Sequence, residues 1–287
     1  MTYFHISIPF LASCLCFCIF YTQARLEHHH HHQHHDHHNH HDHENKHKHH
    51  SPSPSNAPYT CDVDGDGIFD VRKFGAIGDG LEDDTNAFKE AWKCACQSQS
   101  QSPFYLPMLL VPHGYYFIIQ STIFKGPCKS PIIFQVDGTL MPPDGPESWP
   151  KNKRHKWLVF YRINQMIIKG RGLIDGRGQQ WWDLPCKPHK AIRFVMCANL
   201  KLQELKIKDS PHFNVRFDRC VSVRIDSIFI SAPASSPNTD GIHIENTNDV
   251  QIHNSIISNG DDCVSIGSGC YDVDIKNITC VHGHGIR

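Results

Sequence analysis

Four eight-residue segments of the chain repeat one apolar pattern at a nearly constant spacing. Each carries apolar residues at its first, third and eighth positions, and successive segments begin 23, 27 and 23 residues apart. They are LKLQELKI at 200–207, VRIDSIFI at 223–230, VQIHNSII at 250–257 and VDIKNITC at 273–280. A second series of short apolar pairs repeats in step: Val215 and Phe217, Ile242 and Ile244, Val264 and Ile266, and then Ile286. Two strand families that share a period near 23 residues are typical of the coils of a parallel β-helix.

The remainder of the folded region favours the same all-β class. Its apolar runs are short, rich in β-branched residues and separated by Gly, Asn, Asp and Ser. One segment instead has helical periodicity behind Asp83, Asp84 and Thr85, and its apolar positions are Ala87, Phe88, Ala91, Trp92 and Ala95. The alternative, a β-sandwich with accidental spacing, does not need a constant register. We therefore predict an all-β parallel β-helix with a short N-terminal helix cap.

The first 58 residues have the composition of segments that lie outside a folded core. Residues 6–21 are an apolar run too short for a comfortable membrane span, and Thr22, Gln23 and Ala24 follow it, which predicts a secretory signal peptide at 1–24. A buried apolar helix or a membrane anchor is the alternative. Residues 28–50 contain fifteen histidines, a composition that cannot bury enough apolar surface to fold. We therefore predict a His-rich tail and Pro/Ser linker at 25–58, followed by a β-helix domain at 59–287. The His-rich tract would bind metal ions, become positively charged at acidic pH, or serve only as a spacer.

The cysteines indicate an exported protein. Ten of them lie beyond the predicted signal peptide, scattered over more than 200 residues, which favours disulfide partners over metal ligands. They are Cys61, Cys94, Cys96, Cys128, Cys186, Cys197, Cys220, Cys263, Cys270 and Cys280. The sequon NIT at Asn277 predicts N-glycosylation of a secreted chain.

Charged residues recur at one position of the second strand series. Asp240, Asp262 and His284 are each 22 residues apart. In coils stacked about 4.8 Å apart, this register brings two carboxylates and an imidazole within a few ångströms of each other. The equivalent position one coil earlier holds Phe213, so the charges are confined to these coils. The column predicts a functional site.

Asp261 adds a third carboxylate directly before Asp262. A regular strand would direct the two side chains to opposite faces, but Asn259 and Gly260 supply the turn chemistry that lets both face one cleft. Mutual repulsion would then raise the pKa of at least one carboxyl group. A protonated carboxyl beside a carboxylate suits inverting glycoside hydrolysis, in which one protonates the leaving oxygen and the other activates water. The alternative is that these residues serve only turns or an asparagine-type ladder.

At these residues the chain resembles the plant polygalacturonases of glycoside hydrolase family 28. The family's signature stretches NTD, GDDC and GHG stand at 238–240, 260–263 and 283–285, in the family's order and spacing. FGAIGDGLEDDTNAF at 74–88, GRGLIDGRGQQWW at 170–182 and SAPASSPNTDGI at 231–242 are also similar to this family. The resemblance extends from Phe69 to the C-terminus, and its combined motifs are highly specific.

The resemblance implies a right-handed parallel β-helix that hydrolyses α-1,4-galacturonosyl linkages in pectin, with inversion at the anomeric carbon. It assigns Asp261 as the general acid, and Asp240 and Asp262 as the carboxylates that share the attacking water. His284 would support protonation of the acid and contact substrate, and Asn238 would also bind substrate.

The resemblance further implies a disulfide between Cys263 and Cys280 under the site, and it implies no metal or other cofactor. The expected protein is a secreted monomer of the cell wall whose partner is pectin or polygalacturonate, with no nucleic-acid partner and no membrane span.

Two departures from the family pattern affect these expectations. The connection between LPCKPHK and AIRF is short, which alters the loop that carries Cys186. The chain ends at GHGIR, where the family continues with a glycine-rich strand and the motif R-I-K, whose cations hold substrate carboxylates. The expectation is a C-terminally truncated domain with weak or no activity.

Other functions remain as alternatives. The absence of the R-I-K cations would be consistent with a β-helical protein that binds pectin without cleaving it. A pectate lyase would share the β-helix but would use calcium and a basic residue in place of the carboxylate and histidine column. A rhamnogalacturonan hydrolase of the same family is disfavoured by GHG, and both endo and exo attack stay open.

Overall fold

A computed structural model describes residues 61, 66–100, 105–150, 156–184 and 192–287 of the 287-residue chain. Within these ranges lie one α-helix, twenty β-strands and short 3-10 helices at Val71–Phe74 and Gln179–Trp181. The predicted signal peptide at 1–24 and the tail and linker at 25–58 fall outside them. The helix is α1 (Thr85–Gln97), and the strands are β1 (Ile68–Asp70), β2 (Asp79–Asp83), β3 (Met108–Val111), β4 (Tyr116–Ile118), β5 (Thr122–Lys125), β6 (Ile132–Val136), β7 (Thr139–Met141), β8 (Leu158–Tyr161), β9 (Asn164–Lys169), β10 (Leu173–Asp175), β11 (Ile192–Val195), β12 (Ala198–Gln203), β13 (Lys206–Lys208), β14 (Val215–Asp218), β15 (Val221–Asp226), β16 (Phe229–Ser231), β17 (Ile242–Glu245), β18 (Asn248–Ser258), β19 (Val264–Ile266) and β20 (Tyr271–Val281).

The strands recur in three series, and neighbours within a series pair in parallel. The first series is β1, β3, β6, β9, β12 and β15, the second is β2, β4, β7, β10, β13 and β16, and the third is β5, β8, β11, β14, β17 and β19. The long strand β18 continues the first two series, because its first half pairs with β15 and its second half with β16. β20 then pairs along the whole of β18. The chain therefore returns to each series one coil later, which confirms the predicted parallel β-helix.

The register between coils is the one that the repeats predict. The first positions of the four repeated segments pair in turn, and so do the third positions and the eighth positions. Because side chains alternate along a strand, this register directs the apolar residue of every coil to the same interior face. A shift by one residue would expose the whole set.

Stacked phenylalanines form the centre of the core under the third series. Phe124, Phe160, Phe194 and Phe217 are fully buried and occupy equivalent positions on four coils. Their ring centroids are 5.1, 5.1 and 4.8 Å apart, with nearly parallel planes. Such pairs contribute about 0.5–1.5 kcal/mol each beyond the apolar area they bury. The ladder ties successive coils together.

Left-handed residues recur at the second position of four successive strands, β12, β15, β18 and β20. Asn199, Ser222, Asp249 and Asp272 occupy one column, with φ between 54° and 55°. Each is the residue skipped in the pairing of β12, β15, β18 and β20. Asn and Asp tolerate this backbone conformation better than most residues, which explains why short polar residues recur between the apolar runs.

The sequon residue Asn277 lies in a second column of left-handed residues. It is exposed, and its Nδ2 donates to Asn254 Oδ1 at 2.9 Å. Asn254 Nδ2 in turn donates to Asp226 Oδ1 at 2.7 Å, so an external polar ladder runs across three coils. Glycosylation stays a prediction, and a glycan on Asn277 would replace one rung of this ladder.

The helix α1 forms where the sequence predicts it. Asp83 Oδ1 accepts the N–H of Thr85 at 3.0 Å at its first turn, and the five predicted apolar positions are all buried. Trp92 packs on Phe124, with ring centroids 5.1 Å apart, and its Nε1 donates to the carbonyl of Lys125 at 3.2 Å. The helix is thereby fixed to the first coils. Among the described residues, no helix is long and apolar enough to cross a membrane.

Three disulfides are present in the described part of the chain. The expected bridge between Cys263 and Cys280 forms, with Cα atoms 5.9 Å apart, and it joins the turn before β19 to β20. The other bridges link Cys61 to Cys94 and Cys96 to Cys128. The two N-terminal bridges both hold α1, because Cys94 and Cys96 lie on that helix.

The prediction that all ten cysteines are disulfide partners is wrong for Cys197, Cys220 and Cys270, which are free. Cys186 lies outside the described residues. Cys197 and Cys220 are buried at equivalent positions on adjacent coils, directly before β12 and β15. A hydrogen bond with the Cys197 sulfur and burial raise the pKa of Cys220. A buried thiol of this kind remains protonated and packs as a small apolar residue.

Replacing Phe194 by Ala tests the aromatic ladder. The substitution Phe194→Ala removes a ring stacked on both neighbours and is expected to cost about 3–5 kcal/mol. Thermal unfolding followed by circular dichroism should give a Tm lower by roughly 6–20 °C, since 1 kcal/mol corresponds to about 2–4 °C in a domain of this size. Phe229→Ala, at an exposed position on β16, is the control and should cost less than about 0.5 kcal/mol. Equal effects of the two variants would contradict this description of the core.

Candidate active site

The predicted column of charged residues forms beside the third strand series. β17 and β19 pair with an offset of 22 residues, and a bridge from Val264 to Ile286 repeats that offset. Asp240, Asp262 and His284 each lie two residues before an aligned position. The first two are buried, whereas His284 is exposed. The backbone ladder therefore brings the three side chains together on adjacent coils, as predicted.

The turn between β18 and β19 places Asp261 outside regular strand geometry. Its first residue, Asn259, is fully buried, and Asn259 Nδ2 donates to the carbonyl oxygens of Thr239 and Asp262, each at 2.8 Å. Gly260 follows, where a Cβ would collide with the backbone of the neighbouring coil. The turn chemistry predicted from Asn259 and Gly260 is present, although Asn259 acts as a buried bridge and not as a surface turn residue.

A second set of buried hydrogen bonds joins the NTD segment to this turn. The hydroxyl of Thr239 accepts the N–H of Gly260 at 3.1 Å and donates to the carbonyl of Ser236 at 2.9 Å. Ser236 and Thr239 are both fully buried. Segments 236–240 and 259–262 are therefore one hydrogen-bonded unit under the carboxylates.

Asp261 is only partly buried and contacts His284. Asp261 Oδ1 accepts the N–H of Asp262 at 2.8 Å and lies 3.3 Å from His284 Nδ1. The backbone N–H of His284 also donates to the carbonyl of Asp261 at 3.0 Å. Asp261 Oδ2 has no hydrogen-bond partner among the described residues. One oxygen of this carboxyl group is thus held by donors, and the other is left for a proton or a ligand.

Asp262 is the carboxyl group whose protonation the site most strongly affects. Burial raises the pKa of Asp262, and the negative charges of Asp240 and Asp261 raise it further, against the weaker opposing effect of Arg287 and His284. Its Oδ1 is buried without a hydrogen-bond partner in the described structure. Arg287 Nη1 lies 3.7 Å from Oδ2, and His284 Nδ1 lies 3.9 Å from Oδ1. The repulsion predicted from three clustered carboxylates is therefore present.

The structure adds His243, which the sequence analysis did not single out. His243 Nδ1 lies 3.0 Å from Ser265 Oγ and 3.9 Å from Asp240 Oδ2. Its ring stacks on Phe213, with centroids 4.5 Å apart and planes 4° apart. Strand alternation contains the signal for this residue, because the polar fourth position of DGIHI lies between two inward apolar residues and so points outward beside the column. The contacts with Phe213 and Ser265 come from other coils and are not visible in the sequence.

Asn238, the remaining predicted site residue, is not held by side-chain contacts, and the residues present do not exclude a metal ion. Asn238 is exposed, has a left-handed φ of 56° and makes no side-chain hydrogen bond to any described residue. Donor atoms of Asp261, Asp262 and His284 lie within 4.8 Å of one another, close enough to hold a metal ion. A metal-free site accordingly remains a prediction that rests on the family resemblance.

Comparison with known protein families agrees with this geometry. A family model described as "Glycosyl hydrolases family 28" matches residues 102–287. The chain belongs to this family. The match includes the three signature stretches and all the charged residues of the column.

Curated relatives from plants support the family 28 assignment. A polygalacturonase from Persea americana is 40% identical over 225 residues, which cover 75% of this chain and 47% of that protein. A polygalacturonase from Cryptomeria japonica is 39% identical over 231 residues, with 76% and 43% covered. The chain spans about half the length of the curated relatives it matches.

Solved structures of low sequence identity share the fold. An endo-xylogalacturonan hydrolase from Aspergillus tubingensis has a TM-score of 0.65 at 24% identity, covering 76% of this chain and 59% of that one. An exopolygalacturonase from Thermotoga maritima has a TM-score of 0.61 at 21% identity, covering 76% and 61%. These likenesses concern the β-helix alone.

The raised pKa of Asp262 predicts that this residue destabilises the folded state at neutral pH. A carboxyl group with a raised folded-state pKa contributes most favourably below its ordinary value of about 3.9, and this contribution is lost as pH rises through the folded-state value. Asp262→Asn is therefore expected to raise Tm at pH 7 by about one to a few degrees and to leave it nearly unchanged near pH 3. Calorimetry at both pH values tests this. Asp272→Asn, at an exposed position on β20, is the control, and a lower Tm for Asp262→Asn at pH 7 would contradict the expectation.

The buried amide of Asn259 is predicted to be a major structural support of the site. Asn259→Ala removes two buried hydrogen bonds, to the carbonyl oxygens of Thr239 and Asp262. These oxygens each keep one other donor, Asn214 Nδ2 and the N–H of Gly241, so the expected destabilisation is that of two hydrogen bonds, about 1–3 kcal/mol. Urea unfolding measures the change. The control Asn164→Ala removes an exposed acceptor of Asn199 and should cost less than about 0.5 kcal/mol. A loss no larger than that of the control would show that the turn does not depend on this amide.

Proposed function

We propose that the whole protein hydrolyses α-1,4-galacturonosyl linkages in pectin or polygalacturonate, with inversion at the anomeric carbon. The observation that carries this proposal is the cluster of three carboxylates and an imidazole on adjacent coils, in which Asp261 is partly exposed beside His284, whereas Asp240 and Asp262 are buried. Repulsion between neighbouring carboxylates favours a state in which a proton and a negative charge lie side by side. General acid catalysis and activation of water both follow from that combination.

Asp261 is proposed as the general acid. Its Oδ1 is occupied by the N–H of Asp262 and by the imidazole of His284, so a proton on this group resides on the free Oδ2. Asp261 is also the more exposed of the two adjacent carboxyl groups, as contact with a glycosidic oxygen requires. His284 is proposed to orient Asp261 and to contact substrate from the exposed side of the column.

Asp240 and Asp262 are proposed to bind the attacking water between them. They lie on adjacent coils at equivalent positions and repel each other. A water molecule that donates to both carboxylates would lessen this repulsion and would be activated by it. Protonation of the leaving oxygen and attack by this water then come from different carboxyl groups, which is the arrangement of inverting enzymes.

The choice of substrate follows from the names of the plant relatives and from the signature stretches at 238–240, 260–263 and 283–285. We also propose that the protein is a secreted, monomeric enzyme that modifies the cell wall. Secretion rests on the predicted signal peptide at 1–24 and on the disulfides of the described part of the chain.

The experiment that tests the proposal is Asp261→Asn in the whole protein. The amide cannot donate the acidic proton, so release of reducing ends from polygalacturonate should fall by a factor on the order of 10² to 10⁴. The control Asp272→Asn, at an exposed position on β20, should retain full turnover. NMR of the first products should show the inverted anomer.

Two outcomes would reject this assignment. Products that absorb as unsaturated uronides would indicate a lyase, and full turnover by Asp261→Asn would show that another group is the acid. Binding of polygalacturonate without any hydrolysis by the unmodified protein would favour the non-catalytic alternative.

A further inference from the structure

A groove of about 390 Å³ lies where the first strand series turns into the second. It crosses the stacked turns before β4, β7 and β10 and reaches Lys206, the first residue of β13. The strands of these two series form one sheet, whereas the carboxylate column lies beside the separate six-stranded sheet of the third series. The groove is therefore distinct from the candidate active site.

Two glycines keep this groove open. Gly138 and Gly172 each directly precede a strand of the second series, and both line the groove. A Cβ on Gly138 would lie 2.3 Å from the carbonyl oxygen of Pro112, and one on Gly172 would lie 2.1 Å from that of Gly138. The turns of adjacent coils approach each other so closely that only glycine fits. No side chain therefore fills the depression at these two positions.

One row of outward side chains forms the floor of the groove. The pairing of β4, β7, β10 and β13 places Tyr116, Thr139, Leu173 and Lys206 side by side. None of the four is buried, and Tyr116 is 55% exposed. With strands about 4.8 Å apart, the row is about 14 Å long. It presents an aromatic ring at one end and an ammonium group at the other, which suits a ligand with an apolar face and a negative charge.

Tyr115 lines the groove with a ring that is fixed in position. Arg72 Nη1 donates to the Tyr115 hydroxyl at 2.9 Å, and the guanidinium carbon of Arg72 lies 4.8 Å from the ring centroid. The Tyr115 ring also stacks with that of Phe117, with centroids 5.9 Å apart and planes 27° apart. Because the ring is already ordered, a ligand that packs against it pays little for immobilising this side chain.

The groove has two free cations and one carboxylate. Arg171 and Lys206 are exposed, and neither forms an ion pair with a carboxylate among the described residues. Asp137 is half-buried and accepts Gln135 Nε2 at 2.9 and 3.1 Å and the N–H of Arg171 at 3.3 Å. A carboxylate offers about four acceptor positions, so these donors fix Asp137 and still leave a position for a ligand.

This combination of groups selects one class of ligand. Arg171 and Lys206 would attract a simple anion such as inorganic phosphate, but Asp137 would repel it. A neutral sugar would leave both cations without a partner. An acidic sugar uses every group, because its ring packs on Tyr116, its hydroxyls donate to Asp137 and its carboxylate meets the cations.

We infer that this groove is a second, non-catalytic binding site for an acidic polysaccharide, which it holds through uronic acid residues. The inference rests on the proposed function for the identity of the polymer, whereas the preference for an acidic sugar follows from the groove itself. Polysaccharide bound here leaves the carboxylate column free. Two sites that bind one long polymer raise the overall affinity through effective concentration, so the groove keeps the protein on the polymer between cleavage events.

Direct binding of polygalacturonate tests this inference without depending on hydrolysis. All proteins carry Asp261→Asn so that the polymer is not consumed, and the measurement is made at low salt and about pH 7.5, where a histidine of ordinary pKa is neutral. Arg171→Gln with Lys206→Gln is expected to weaken binding roughly 2- to 30-fold, and added salt should reduce this difference. In the protein with Asp261 intact, the same double substitution should raise KM for polygalacturonate and leave kcat unchanged, because neither residue lies at the column.

Each part of the groove has a matched control. Lys89→Gln with Lys201→Gln lowers the net charge equally, on α1 and on β12, and should change binding less than about twofold. Tyr116→Ala removes the aromatic end of the floor and should weaken binding roughly 2- to 10-fold. Its control, Tyr271→Ala, removes an equally exposed ring at the start of β20 and should have less than a twofold effect.

Three results would overturn the inference or separate it from the proposed function. Equal losses in the groove and control double variants would reject the groove as the site. Competition by inorganic phosphate as strong as that by trigalacturonate, at equal concentration of charge, would reject an acidic sugar as its ligand. Loss of binding in the groove variant, in a protein that does not hydrolyse polygalacturonate before Asp261→Asn is introduced, would reject the proposed function and leave this inference intact.

Discussion

The parallel register between successive coils is the constraint on which the rest of the structure depends. Backbone hydrogen bonds fix an offset of 22 residues from β17 to β19 and from Val264 to Ile286, and this offset alone decides which side chains become neighbours. Each β-strand residue points to the face opposite its neighbour, so a slip of one residue would expose the stacked apolar interior. The core therefore enforces the register, and the register in turn assembles Asp240, Asp262 and His284. Stability and the candidate active site depend on the same set of backbone pairings.

The column concentrates negative charge where the fold has little solvent to screen it. Asp262 is buried with one oxygen unpaired, and two other carboxylates lie close to it. This arrangement lowers stability, and proteins keep such arrangements where function requires them. The bonds beneath the site compensate for part of that cost. Asn259 and Thr239 satisfy the backbone of both acidic segments, and the disulfide between Cys263 and Cys280 fixes the turn to the next coil. A rigid support of this kind keeps repelling carboxylates close together when relaxation would separate them.

The fold and the column could be predicted from sequence because both depend on spacing. Apolar alternation with a constant offset determines which positions stack, and charged residues at one of those positions stack with them. The identity of side-chain partners does not follow from spacing. His243 contacts Ser265 and stacks on Phe213, three residues that belong to three coils. Likewise the number of cysteines suggested disulfides throughout, but whether a buried cysteine such as Cys220 meets a partner in bonding geometry depends on packing between coils.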